Sequence, residues 1–275
     1  MTTATTTAVP TVPGVRPAAG LAASAIGIAR RSLLKFWRTP QLVVVGTLQG
    51  ALFLLIFRYV FGGAISSGGL DYVDFLVPGF VTTGLLFTGM GAAAGMAEDL
   101  EQGFIDRLRS LPIPRSAVLA GRALADTALG AWSLVITSAI SFAVGFRLHG
   151  GPADALVAFG LLLVFGFAFE WMFITLGLVA RTPQAAQGLS LMVFPLTFVS
   201  SAYVPVESMP GWMQPFAQHQ PLTVMVDAVR ALTQGPAAEA LLGHTAGFYV
   251  VRALAWSAAI LAVFGPLAVA RYRRG

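Results

Sequence analysis

The chain alternates between long stretches almost free of polar side chains and short clusters of charge. Six apolar runs stand out, roughly Gln41 to Phe61, Phe75 to Ala97, Gly121 to Phe146, Ala155 to Ala180, Ala185 to Val204 and Ala253 to Ala270. A helix needs about 20 apolar residues to cross a hydrocarbon core of about 30 Å. Backbone groups in lipid have no water to bond, so each run is expected to satisfy itself as a helix. The pattern therefore predicts an all-α integral membrane protein with six transmembrane helices.

Two further segments show helical spacing without being long enough to span. In Ala22 to Arg38, the residues Ala22, Ile26, Ala29, Leu33 and Phe36 form one stripe, with Arg31, Lys35 and Arg38 on another face and Trp37 beside them. This is the pattern of an interfacial helix, its apolar stripe in the acyl boundary and its basic residues against anionic headgroups. In "EDLEQGFIDRLRSLPIPR", Glu98 to Arg115, the residues Leu100, Phe104, Leu108 and Leu111 fall opposite Asp99, Gln102, Asp106 and Arg109. Pro112 and Pro114 end that short surface helix by removing donors and disfavouring helix just before them. Its mixed-sign face suits a protein partner better than anionic lipid. Between Pro205 and Val251, "ESMPGWMQPFAQ" and "PLTVMVDAVRAL" are expected as short outer helices. Pro221 suits a first helical turn, with Met225, Val229 and Leu232 as the buried stripe.

Composition agrees with this picture: 56% of residues are hydrophobic and the mean hydropathy is +0.78, outside the range of soluble domains. The chain has no cysteine, which excludes disulfides and thiolate metal sites, and His149, His219 and His244 fall far apart in expected loops. No metal centre is expected. Residues 1–20, rich in Thr, Ala and Pro, are expected as a flexible tail rather than a signal peptide.

Charge supplies an orientation. With six spans and a cytoplasmic N-terminus, the inner segments hold Arg16, Arg30, Arg31, Lys35, Arg38, Arg107, Arg109, Arg115, Arg122, Arg181, Arg271, Arg273 and Arg274, leaving only Arg58, Arg147, Arg230 and Arg252 of the 17 basic residues elsewhere. That asymmetry places both termini in the cytoplasm. Because the basic residues sit beside span ends, the net charge of +5 points to lipid headgroups and not to nucleic acid.

A P-loop for ATP hydrolysis needs a lysine after glycine. The sole lysine, Lys35, follows Leu34. Energy must then come from another polypeptide or from an ion gradient. A gradient-driven carrier would place ionisable groups inside its spans. Glu170 is the one acid near the middle of a span, with Arg122 and Asp126 near the start of another. Its neighbours in "FGFAFEWMF" could line a surface for an apolar or cationic substrate, and a hydroxyl or backbone group within the bundle could equally satisfy the carboxyl. Phe169, Glu170 and Phe173, with Phe194 and Phe198, are the candidates for a substrate path. The run "GMGAAAGMA", Gly89 to Ala97, allows close helix packing, and Pro195 is expected to kink the fifth span. No convergent nucleophile and base suggests an intramembrane enzyme.

At two stretches the chain resembles a family, the ABC-2-type export permeases, and within them the daunorubicin-resistance-like bacterial branch. One stretch is "EDLEQGFIDRLRSLPIPRSAVLAGR", with its acidic start, Gly103, the "DRLRSLP" run and Arg115. The other is "RTPQAAQGLSLMVFPLTFVSSAYVPVESMPGWMQPFAQHQPLTVMVDAVRAL", with Ser200, Ser201, Pro205, Pro210, Pro221 and Arg230. The likeness covers about residues 22 to 275, so residues 21–275 read as one six-span transmembrane domain. The family typically has Gly-Thr where this chain has Gly103-Phe104.

The resemblance implies the permease half of an ATP-driven exporter in a bacterial plasma membrane, a homodimer or close heterodimer bound to two copies of a separate ABC ATPase. ATP and Mg would sit on that partner and no cofactor on this chain, which would break no covalent bonds itself. The cargo would be a hydrophobic or amphiphilic compound such as a drug, secondary metabolite or lipid, and related permeases move glycan chains or lipid-linked polymers instead. The segment between spans two and three would fit a groove on the ATPase. Glu98, Asp99, Glu101, Arg107 and Arg109 would make its polar contacts and Phe104 and Leu108 would anchor it. Gly103, Pro112 and Arg115 complete that motif. The short outer helices would dip into the outer leaflet and cap the exit path, or only cover the outer ends of the spans.

Overall fold

The computed structural model describes residues 40–65, 67, 69–109 and 115–274. The expected tail and the interfacial segment with Arg31, Lys35, Trp37 and Arg38 lie outside these residues. Every regular element among the described residues is helical.

Four helices are long and apolar enough to cross a membrane: α2 (Tyr72–Glu101), α4 (Arg115–Val144, apolar from Val118), α5 (Pro152–Ala180) and α11 (Ala246–Arg274). At 1.5 Å per residue each is about 45 Å long, so they outrun the acyl core at both ends. Their hydroxyls are hidden by folding back onto the preceding turn. Thr82 donates to the Pro78 carbonyl at 2.7 Å, Thr175 to Trp171 at 2.8 Å and Ser257 to Ala253 at 2.8 Å. In lipid this removes donors that would otherwise be orphaned. Pro152 occupies the first turn of α5, where its missing N–H costs nothing, and the Gly151 N–H donates to Asp154 at 3.0 Å.

The other two expected spans are shorter. Helix α1 (Pro40–Ile56) winds into a π-helical turn, Phe57–Phe61, and its described apolar stretch covers Leu48–Phe61. The fifth run is not one helix. It breaks into α6 (Pro183–Ser190), a 3₁₀ turn (Leu191–Val193) and α7 (Phe194–Phe198). Pro195 cannot donate, and proline disfavours helix in the residue before it, so the chain tightens just ahead of it. The carbonyls left open at the end of α7 are met from a distance: the Gln220 side-chain amide donates to Leu196 at 3.1 Å and Val199 at 2.8 Å.

Helices α2 and α5 are mostly buried within the chain, whereas α4 and α11 turn broad apolar faces outward, with Leu124, Trp132 and Val135 exposed on α4 and Val251, Leu254 and Val263 on α11. The α2–α5 seam is close because α2 brings small residues to it. A Cβ on Gly89 would stand 2.3 Å from the Phe173 ring, and one on Gly177 would stand 2.5 Å from the Ala93 carbonyl oxygen. The small-residue run therefore packs as its composition suggested.

At the Asp74 end of the bundle sit α8 (Gln214–His219), α9 (Pro221–Gln234) and α10 (Pro236–Leu242). Met225, Val229 and Leu232 are buried, as the spacing predicted, but so is every other residue from Leu222 to Gln234. Thus α9 is not a surface helix with one wet face; it is enclosed by α2, α5 and α11. The backbone N–H groups of His149 and Gly150 both donate to the Thr233 carbonyl at 2.9 Å, tying the α4–α5 connection to the end of α9.

Candidate functional site: a charge cluster beneath a turned helix

At the opposite end, α2 does not continue into the charged segment as one short helix starting at Glu98. It runs to Glu101, stops, and restarts as α3 (Phe104–Arg109). Gly103 makes the break, with φ of +67°, a conformation that a side chain disfavours. Its N–H bonds the Leu100 carbonyl at 3.0 Å, and the Arg107 N–H bonds the Gly103 carbonyl at 3.3 Å, so one helix closes as the next opens.

Glu98 and Glu101 therefore belong to the end of the long helix, where the Gln102 amide donates to Glu98 at 3.0 Å. Glu101 and Arg107 are exposed and Phe104 is half-buried. Leu108 and Arg109 lie in the α3 backbone, Arg115 opens α4, and Pro112 falls outside the described residues. What seats α3 on the bundle is Ile105, 2% exposed, which packs with Met96, Val118, Leu119 and Ala123. The sequence pattern, scored on the stripe of Phe104 and Leu108, gave no weight to Ile105.

Asp99 was expected on a polar face and is instead buried. Arg122 of α4 donates through Nη1 to Asp99 Oδ2 at 2.5 Å and through Nε to Asp126 Oδ2 at 2.7 Å. Room for the guanidinium comes from Gly95, where a Cβ would stand 2.3 Å from Arg122 Nη2. Glu170 of α5 faces the same group, within electrostatic reach of both Asp126 and Arg122. It is 3% exposed, and its Oε2 has no hydrogen-bonding partner among the described residues. The hydroxyl or backbone partner that could have satisfied it is not found for that oxygen.

The five candidate path residues do not share one surface. Phe169 and Phe173 are buried beside Glu170, Phe169 pairing with Phe165 at 4.5 Å. Phe194 and Phe198 are exposed and pair with each other at 5.1 Å, with Phe87 against Phe194 at 5.8 Å.

A second arginine cluster closes the Asp74 end. Arg230 of α9 is 0% exposed. It donates to the Phe75 carbonyl from Nε at 3.2 Å and from Nη2 at 3.0 Å, to the Ser201 carbonyl at 2.7 Å and to Asp227 Oδ1 at 2.8 Å. Its Cζ lies 3.9 Å from the Phe75 ring centroid. Ser201 Oγ donates to Asp227 at 2.7 Å. Burial lowers the Arg230 pKa to about 10 against the opposing charge of Asp227, and burial raises the Asp227 carboxyl while Arg230 and Ser201 hold it down.

Beside it, Asp74 accepts the Arg147 N–H at 2.9 Å, and His149 Nδ1 lies 2.8 Å from Gln234 Oε1. Among the described residues no group of three or more His, Asp or Glu side chains is placed to hold a metal ion.

Long apolar helices with charged clusters held between them define a multi-pass integral membrane protein. The chain belongs to the ABC-2 type transporter family, whose profile matches residues 25–233. It is 35% identical to the daunorubicin resistance ABC transporter permease protein DrrB1 of Streptomyces coeruleorubidus, over 94% of this chain and 90% of that one. It is 28% identical to the "Probable doxorubicin resistance ABC transporter permease protein DrrC" of Mycobacterium tuberculosis, over 96% and 93% of the two chains. With the inner membrane transport permease YadH of Escherichia coli it shares 23% identity over 72% and 76%.

Proposed function

We propose that this chain is the transmembrane permease subunit of an ATP-driven exporter that moves a hydrophobic or amphiphilic compound, a drug or secondary metabolite, out of the cytoplasm or inner leaflet. Two copies of a separate ABC ATPase, carrying ATP and Mg, supply the energy, and a second permease subunit completes the path. The relatives named for drug resistance support this reading of the cargo.

The observation that carries the proposal is α3, turned out of line with α2 at Gly103 and seated by Ile105. A short helix mounted this way can be pushed as a unit. Because Asp99 just before the turn is bonded to Arg122, a push on α3 reaches α2 and α4 together. Closure of the ATPase would then tilt both helices and open the path on the other face.

In this reading α1 and the broken α6–α7 segment are the first and fifth of six spans, and both termini lie in the cytoplasm of a bacterial cell. The chain has no cysteine of its own, so single cysteines report sidedness directly. Ser67→Cys and Trp212→Cys are expected to react with an impermeant maleimide from outside and Arg107→Cys only after permeabilisation; the reverse pattern inverts the topology.

Partnership is tested by purifying the full chain in mild detergent and identifying what accompanies it. A P-loop ATPase lost from a Phe104→Asp, Leu108→Asp variant that still inserts and folds is the expected result. If no ATPase accompanies the wild type, the proposal falls.

A further inference from the structure

We propose that Arg58, in the π-helical turn that ends α1, is a binding site for the phosphate of an anionic phospholipid, one that stays with the chain as a structural lipid and is not its cargo. An arginine near the end of a span usually snorkels, its stem among acyl chains and its guanidinium in water. Arg58 is held differently. Its guanidinium lies against Gly145, where α4 gives way to the next connection, and a Cβ at that position would collide with Nη1. Gly145 also has φ of +117°, so a side chain is disfavoured there on two counts. Nη1 is buried and has no hydrogen-bonding partner among the described residues. The guanidinium stands 5.4 Å from the centre of the Tyr59 ring, and Arg58 forms no ion pair with a described residue.

A partly dehydrated cation without an acceptor is costly, and an anion brought to its open edge removes that cost. Nε and Nη2 carry no hydrogen bond within the described chain and are not covered as Nη1 is, so they keep the fork that meets two phosphate oxygens at once. A second guanidinium is fixed on the same turn: Arg147 Nη1 donates to the carbonyls of Phe142 at 3.0 Å and Phe146 at 2.8 Å. Asp74 accepts the Arg147 N–H and faces His149, and so leaves Arg58 unpaired. The surroundings choose a lipid over a free anion. Tyr59 is 73% exposed and Val60 65%, with Phe61 after them and Phe142 exposed on α4. In a membrane protein such side chains meet acyl chains, so a phosphate carried on acyl chains arrives at Arg58 with its own apolar contacts, which a free phosphate lacks. In the topology proposed above this is the outer leaflet. Binding itself requires only a bilayer and is independent of cargo and ATPase.

The test uses the full chain purified in mild detergent and mixed with phosphatidylglycerol or with phosphatidylcholine of the same acyl chains, the bound lipid being counted by native mass spectrometry. Wild type is expected to retain phosphatidylglycerol at least threefold more than phosphatidylcholine, and excess inorganic phosphate is expected to leave that retention unchanged. Arg58→Gln loses the preference. Arg252→Gln, which removes another guanidinium set near an aromatic ring, that of Phe248 at 5.3 Å, keeps it. No preference in the wild type, a preference that survives Arg58→Gln, or an equal loss in Arg252→Gln overturns the site; displacement by inorganic phosphate overturns the lipid as its occupant. Should Arg58→Gln not fold, phosphatidylglycerol with a photoreactive headgroup carries the test on the wild type: cross-links are expected within residues 58–61 and 142–147, and labelling confined to other segments overturns the proposal. Failure of an ATPase to accompany the chain would leave this lipid readout intact, so the two proposals can fail separately.

Discussion

Two arginines among the described residues sit in clusters between the helices, Arg230 fully buried and Arg122 half-buried, and they are held in different ways. Arg230 has one carboxylate partner, two carbonyl acceptors and an aromatic face, and Asp227 beside it takes a serine hydroxyl as well. Arg122 has two carboxylates on its guanidinium, and nearby Glu170 has an oxygen unmatched among the described residues. A network that is balanced and fully bonded holds a structure in one arrangement. A network that leaves a buried oxygen unmatched gives up part of that hold. In the sequence both register alike, as charged residues inside a membrane protein.

The largest effect should come from breaking the balanced one. Arg230→Met strands a buried Asp227 and two carbonyls and is expected to cost about 3–5 kcal/mol, seen as loss of the folded peak on heating in detergent. Adding Asp227→Leu to it should recover most of that loss; no recovery would mean that the carbonyl bonds dominate. Next is Gly95→Val, whose side chain takes the space of the Arg122 guanidinium and should cost about 1–3 kcal/mol, whereas Gly91→Val, with open space around it, should cost far less.

Gly103→Ala forces a side chain into a positive-φ turn and is expected to lower stability by about 1 kcal/mol while weakening ATPase retention more than that figure suggests. Smallest in stability is Glu170→Gln. It keeps the shape of a side chain whose Oε2 has no partner among the described residues, so the melting temperature should stay unchanged or rise slightly. A Glu170→Gln variant as unstable as Arg230→Met would erase the contrast between the two clusters.

What could be read from the sequence divides along the same physical line. Apolar length is a local property, and the expected runs Phe75 to Ala97, Gly121 to Phe146, Ala155 to Ala180 and Ala253 to Ala270 correspond to α2, α4, α5 and α11. Their ends were placed too far inward where helices continue through polar residues, as α2 does through Glu98 and Asp99. The break in the fifth apolar run was only half legible: Pro195 marked the place, but the side chain of Gln220 that meets the carbonyls at the end of α7 lies beyond the next loop.

The i, i+4 spacing of Arg122 and Asp126 was visible, whereas their meeting with Asp99 and Glu170 depends on the packing of α2, α4 and α5. Likewise α9 reads as amphipathic because Asp227 and Arg230 look like a wet face. They satisfy each other and the neighbouring backbone, so the helix is buried on every side.

The Arg230 bonds to Phe75 also set a timetable for synthesis. The carbonyl that anchors the joint is made 155 residues before the side chain that reaches it. Throughout that interval the ribosome feeds later helices into the membrane while the first ones stand without their clasp. The nascent bundle must therefore remain loosely assembled until α9 arrives, and a chain that stalls before that helix presents an open, recognisable edge to the proteases that patrol the bilayer.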